Sequence, residues 1–74
     1  MNSDYKTSDL NLAAFLVVKG FNCFIEKEGK KGYFIFDETD ELKETKSEYY
    51  GNSEIPVLDY KNALRDLKSR VINF

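Results

Sequence analysis

The sequence predicts a small two-layer α+β domain, ordered helix, β-hairpin, helix, helix, that occupies residues 1–74 as one unit. Three observations carry that expectation. An apolar run from Leu10 to Val18 stops at Gly20, two short aromatic and β-branched segments flank a glycine-bearing turn, and the last stretch repeats its apolar residues at helical spacing. With 74 residues there is room for one core. A chain of this size buries only about 60% of its unfolded surface. Six Phe and five Tyr are the side chains that let so small a core offset the entropy of ordering the chain.

The first helix is announced by Thr7-Ser8-Asp9. Ser8 or Thr7 is expected to accept a hydrogen bond from a free amide of the first turn, and Asp9 lies where the helix dipole favours negative charge. Gly20 can adopt the left-handed conformation that ends many helices. Between them Leu10, Leu12, Ala13, Ala14, Phe15, Leu16, Val17 and Val18 are apolar on nearly every side. Such a helix belongs at the centre of the core or against a partner chain, and the central position is expected here.

The hairpin is expected to pair residues 22–27 with residues 33–36 through Glu28-Gly29-Lys30-Lys31-Gly32, where glycine supplies positive φ. A loop of even length preserves the parity of cross-strand pairs. One face then carries Cys23, Ile25, Phe34 and Phe36, and is assigned to the core. The other carries Phe24, Glu26, Tyr33 and Ile35. The acidic run Asp37-Glu38-Thr39-Asp40-Glu41 starts a surface helix that continues through Leu42, Thr45 and Tyr49 to Gly51. Pro56 holds Ile55 to Val57 in an extended connection or an edge strand. In the last helix Asp59 is the expected N-cap, and Tyr60, Ala63, Leu64, Leu67 and Val71 form one apolar face that points to packing as far as Phe74.

Eleven basic and thirteen acidic residues leave a net charge of −2, so no strong field selects polyanions or anionic membranes. The chain has no histidine and one cysteine, Cys23. Disulfide scaffolds, Cys/His zinc patterns and histidine-assisted nucleophiles are thereby excluded. Cys23 is expected to act as a small apolar side chain, since no histidine lowers its thiol pKa. No apolar run approaches the roughly 20 residues that span a bilayer, and Met1-Asn2-Ser3-Asp4 does not read as a signal peptide, so no membrane contact is expected. The acidic cluster from Asp37 to Glu44 lacks the glycine and distal glutamate of a calcium loop. Gly29-Lys30-Lys31-Gly32 is shorter than a P-loop and leads into a strand rather than a helix. No catalytic residue, metal-ligand set or cofactor site is expected, and the protein is not expected to be an enzyme.

Two sets of residues remain as contact candidates. Phe24, Tyr33 and Ile35 together exceed what a solvated hairpin face needs, and would form a patch of a few hundred Å² if left open. The second helix, a second copy of the chain in a homodimer, or another protein can cover them. The last helix also carries a basic stripe, Lys61, Arg65 and Lys68. With Lys30 and Lys31 in the turn it can meet a nucleic-acid backbone, and Tyr50 can stack on a base or a nucleotide. The plainer reading of the stripe is that its stems cover the core edge while the charges stay in water.

The block Tyr5-Lys6-Thr7-Ser8-Asp9-Leu10-Asn11-Leu12-Ala13-Ala14-Phe15-Leu16, closed by Gly20, resembles the opening of a domain-of-unknown-function family of short proteins found in Gram-positive bacteria and their phages. The similarity continues through Gly32-Tyr33-Phe34-Ile35-Phe36, Glu48-Tyr49-Tyr50, and Ala63-Leu64-Arg65-Asp66-Leu67-Lys68-Ser69-Arg70. No catalytic residues come with this resemblance. It implies a cytoplasmic protein of a phage or mobile element. The expected function is a non-enzymatic binding protein that blocks or sequesters a host protein or a nucleotide signal, as an anti-defence factor would. Phe24, Tyr33 and Ile35 would make the contact, with Tyr50, Arg65 and Lys68 adding polar or stacking interactions. The alternative is a nucleic-acid-binding accessory protein of a mobile element that uses Lys61, Arg65, Lys68 and Lys30-Lys31.

Overall fold

In the computed structural model, which describes residues 3–73, the chain runs β1 (Asp4–Thr7), α1 (Leu10–Val18), β2 (Phe24–Glu28), β3 (Lys31–Asp37), α2 (Asp40–Tyr50) and α3 (Val57–Ile72). The class is α+β, and the order helix, hairpin, helix, helix is preserved behind one additional strand. The expected packing of Phe74 lies outside the described residues. The sheet is antiparallel with strand order β1-β3-β2, so the hairpin gains a third strand on the β3 side. β1 pairs Tyr5 with Phe36 and Thr7 with Phe34. It is anchored at its start, where the Glu38 amide donates to the Ser3 carbonyl at 2.9 Å.

The helix ends show which local signals held. Asp9, rather than Ser8 or Thr7, caps α1 by accepting from the Leu12 amide at 3.2 Å, and its own amide donates to Thr7 Oγ1. Beyond Lys19, Gly20 has φ +101°, the Gly20 amide donates to Val17 O, and the Phe21 amide donates to Leu16 O. This is a Schellman closure, which satisfies carbonyls that the helix leaves free. α2 is capped by Thr39 and begins at Asp40, three residues into the acidic run. The run's first residue, Asp37, instead ends β3. α2 also ends in a Schellman closure, but its left-handed residue is Asn52 at φ 62°, not Gly51. Asparagine tolerates this conformation better than other side-chain-bearing residues.

α3 starts three residues earlier than expected, with its cap at Pro56 instead of Asp59. Pro56 occupies the cap position with no side-chain bond, and its carbonyl accepts from the Tyr60 amide at 3.0 Å. The fixed φ of proline suits the entry to a helix, so Val57 opens the helix instead of extending a strand. Asp59 lies in the first turn, where it complements the dipole without capping.

The hairpin loop has the even length expected and falls within the turn segment, residues 28–32. Glu28 pairs with Lys31, and the two-residue Gly29-Lys30 turn places Gly29 first at φ 62°. The parity is as expected: Phe24 faces Ile35 and Ile25 faces Phe34. Gly32 does not supply a positive φ. It supplies space, because a Cβ there would lie 2.7 Å from Val71 Cγ1 of α3. Gly32→Ala is therefore expected to destabilise the domain by about 1–3 kcal/mol. Part of that loss should return in the Gly32→Ala/Val71→Ala double variant, read as a non-additive cycle in urea denaturation. A neutral Gly32→Ala would refute the close approach.

The core lies between the Phe34/Phe36 face of the sheet and the helices. Phe34 and Phe36 meet Leu12, Ala13, Ala14 and Leu16 of α1, Leu42 of α2, and Ala63 and Leu67 of α3. Residues 12–16 of α1 are all buried, and five consecutive positions go right round a helix. α1 is the central element of the domain. The 17 Å thickness of the molecule fits one sheet layer and one helix layer.

Candidate functional site

The outer face of the sheet carries Phe24, Tyr33 and Ile35 side by side. Phe24 and Ile35 are direct cross-strand partners, and Glu26 pairs with Tyr33 next to them. The helices pack on the opposite face, so of the covers considered the second helix does not supply one: α2 lies against α1 and closes the core with Leu42. A lysine from the added strand takes its place in part. Lys6, beside Ile35 on β1, extends across β3 and places its ammonium 4.5 Å from the centre of the Tyr33 ring. It reaches Glu26 at 3.4 Å and also donates to Glu28. Lys31 approaches the same ring at 5.5 Å. The hydrogen bond to Glu28 raises the Lys6 pKa, and Lys6 in turn holds the Glu28 carboxyl low. Tyr33 and Ile35 are thus half-buried, while Phe24 remains 62% exposed.

The basic stripe gathers elsewhere. Lys61, Arg65 and Lys68 line a shallow groove of about 440 Å³ between α1 and α3, floored by Leu10 and Leu64. None of the three makes an ion pair with another described residue, whereas Arg70 of the same helix is paired with Asp66 at 3.1 Å. Lys31, at the start of β3, lies over the Tyr33 ring and does not line this groove. Lys30 is exposed in the turn. Tyr50 sits at the end of α2, 71% exposed and edge-on to Tyr49 at 5.2 Å. Tyr49 is edge-on in turn to Phe15, so Tyr50 is the outermost ring of an aromatic row.

Three exposed apolar residues escaped the sequence reading: Val57, Leu58 and Ile72. Val57 falls in the expected extended connection or edge strand, and Leu58 precedes Asp59, the expected N-cap. Extending the helical wheel back to Pro56 would have placed them on α3.

Cys23 is half-buried in a cleft of about 270 Å³ lined also by Val17, Phe21 and Arg70. Burial pushes its thiol up to about 11, against the weaker opposing influence of Arg70. Because the thiol pKa is raised, the protonated form dominates at neutral pH. Alkylation by iodoacetamide should be far slower than for a free thiol at pH 7.5, and should accelerate as pH rises towards 11. Rapid labelling at neutral pH would contradict this environment.

Among the described residues no group of three His, Cys, Asp or Glu side chains is placed to hold a metal ion, and no helix is long and apolar enough to cross a membrane. Fold and surface together define a small sheet-and-helix domain with one open sheet face and one basic groove. The chain matches the family described as Domain of unknown function (DUF5659) over residues 2–73, and it belongs to that family. No curated protein and no solved structure matches it.

Proposed function

We propose that the protein is a non-enzymatic binding protein that blocks or sequesters a host protein. In this reading it is encoded by a phage or mobile element of Gram-positive bacteria, works in the cytoplasm, and serves as an anti-defence factor. The observation that supports it is the outer sheet face. Phe24 stays 62% exposed on a sheet whose helices all lie on the other side, next to half-buried Ile35 and Tyr33. A large ring left in water beside further apolar surface is what an interface centre needs. The mixed charges of Lys6, Glu26, Glu28 and Lys31 form a polar rim around it.

The test is capture of the partner from a host lysate by the wild-type protein, with Phe24→Asp and Tyr33→Asp in parallel, alongside sedimentation of each. Phe24→Asp is expected to weaken capture by roughly tenfold or more. Its stability should stay within about 0.5 kcal/mol of wild type, because the ring is mostly in water. Unchanged capture and unchanged mass for both variants would reject this surface. A wild-type dimer that Phe24→Asp dissociates would assign the face to a second copy.

A second reading is supported by the gathering of Lys61, Arg65 and Lys68 free of ion pairs: a nucleic-acid-binding accessory protein. It requires DNA binding that falls steeply with salt and disappears on charge reversal of the stripe. A low-salt titration with single- and double-stranded DNA that shows no binding would eliminate it.

A further inference from the structure

The exposed side of α3 is more than a basic stripe. At about 3.6 residues per turn, Val57, Lys61, Leu64, Arg65, Lys68 and Ile72 fall on one side of the helix, with Leu58 at its edge beside Arg65. Val57 is 75% exposed, Leu58 72% and Ile72 68%, so three apolar side chains interleave with three unpaired cations along the whole helix. The acids of α3, Asp59 and Asp66, lie on the opposite side. Asp9, beside Leu10 across the groove, is turned to its own helix as the cap of α1.

We infer that this face, with the groove between α1 and α3, receives an acidic amphipathic helix of a partner protein. Charge complementarity selects the occupant's sign. Lys61, Arg65 and Lys68 have no carboxylate of the described chain to answer them. The apolar residues select its second property, because Leu10, Leu64, Val57 and Ile72 need an apolar stripe to bury against. The shape selects a helix: the floor lies between two helices, and α3 runs for 16 residues, about 24 Å.

The other occupants fit less well. A nucleic-acid strand would match the cations, but it brings no apolar surface to Val57, Leu58 and Ile72, and among the described residues this face carries no aromatic ring on which bases stack. An anionic bilayer is flat where this surface is grooved, and three cations on a chain of net charge −2 give weak attraction. Among the described residues a second copy offers no suitable segment. Its acidic helix, α2, turns its leucine, Leu42, into its own core.

The experiment selects, with the full-length protein as bait, from a displayed library of helix-forming peptides as long as α3. Enriched peptides are expected to place Leu, Ile or Phe at spacings of three and four with Asp or Glu flanking them. By fluorescence anisotropy, a selected peptide should bind more weakly as salt rises. It should lose roughly tenfold or more in affinity to the Lys61→Glu/Arg65→Glu/Lys68→Glu variant. A similar loss is expected with Val57→Ser/Leu58→Ser, while Phe24→Asp should bind as wild type. That control separates this site from the outer sheet face. All substituted residues are exposed, and circular dichroism checks that each variant folds. No enrichment, enrichment of basic or neutral peptides, or binding that survives charge reversal overturns the inference. So does single-stranded DNA that binds this face and is insensitive to Val57→Ser/Leu58→Ser.

Discussion

Phe36→Ala is expected to remove most of the stability of the domain. The ring is 1% exposed and sits in the middle strand, opposite Tyr5 of β1 and among the buried side chains of all three helices. Truncating a buried phenylalanine costs about 3–5 kcal/mol, from lost transfer energy and from the cavity left behind. A domain of 74 residues has a total of roughly 4–11 kcal/mol to lose. The variant should therefore be partly or wholly unfolded at 25 °C, with no folded baseline in a urea titration. Phe36→Leu keeps most of the volume and should retain a cooperative transition at lower urea. A Phe36→Ala midpoint close to wild type would mean that the core does not centre on this ring.

The second large effect concerns β1. Deleting residues 1–7 leaves β2 and β3 as a two-stranded hairpin, an arrangement marginal in water. It removes the pairs of Tyr5 with Phe36 and Thr7 with Phe34, and the contact in which Lys46 lies 3.7 Å over the Tyr5 ring. Burial of part of a tyrosine and the lost strand hydrogen bonds together amount to about 3–5 kcal/mol. The expected result is a broad, low-temperature melt and fast amide exchange in β3. Lys6→Ala separates the strand from its side chain. It breaks the exposed ion pairs with Glu26 and Glu28 but leaves the backbone ladder, so its effect should be small and should shrink further in salt. If the deletion melts like wild type, β1 is dispensable and the hairpin suffices.

These two effects mark where the sequence was easy to read and where it was not. Phe36 could be placed in the core because strand parity needs only the two hairpin segments and an even loop. β1 gave no comparable signal. Four residues alternating Asp4, Tyr5, Lys6 and Thr7 are too few for a periodic pattern, and their pairing partners lie about thirty positions away. The cap errors have a related cause. Ser8, Thr7 and Asp9 can all cap a helix, and Asp59 and Pro56 are both good entries to one, so composition alone could not order them.

The contact surfaces divide in the same way. That Phe24, Tyr33 and Ile35 share a face, and that Lys61, Arg65 and Lys68 share another, follows from strand and helix periods. Which of them remain open does not. Lys6 shields Tyr33 from a strand the local pattern did not reveal, and Val57 and Leu58 became exposed helical residues once the helix began at Pro56.

The chain's own order of residues determined the α+β class, the central burial of α1, the facing of the hairpin and the lack of histidine-based chemistry. All of these depend on composition or on interactions between near neighbours. Tertiary structure alone decided the third strand, the close approach of Gly32 to Val71, and the division between an open sheet face and a basic groove. Those depend on segments distant in sequence meeting in space, where a side chain's exposure is set by what folds over it.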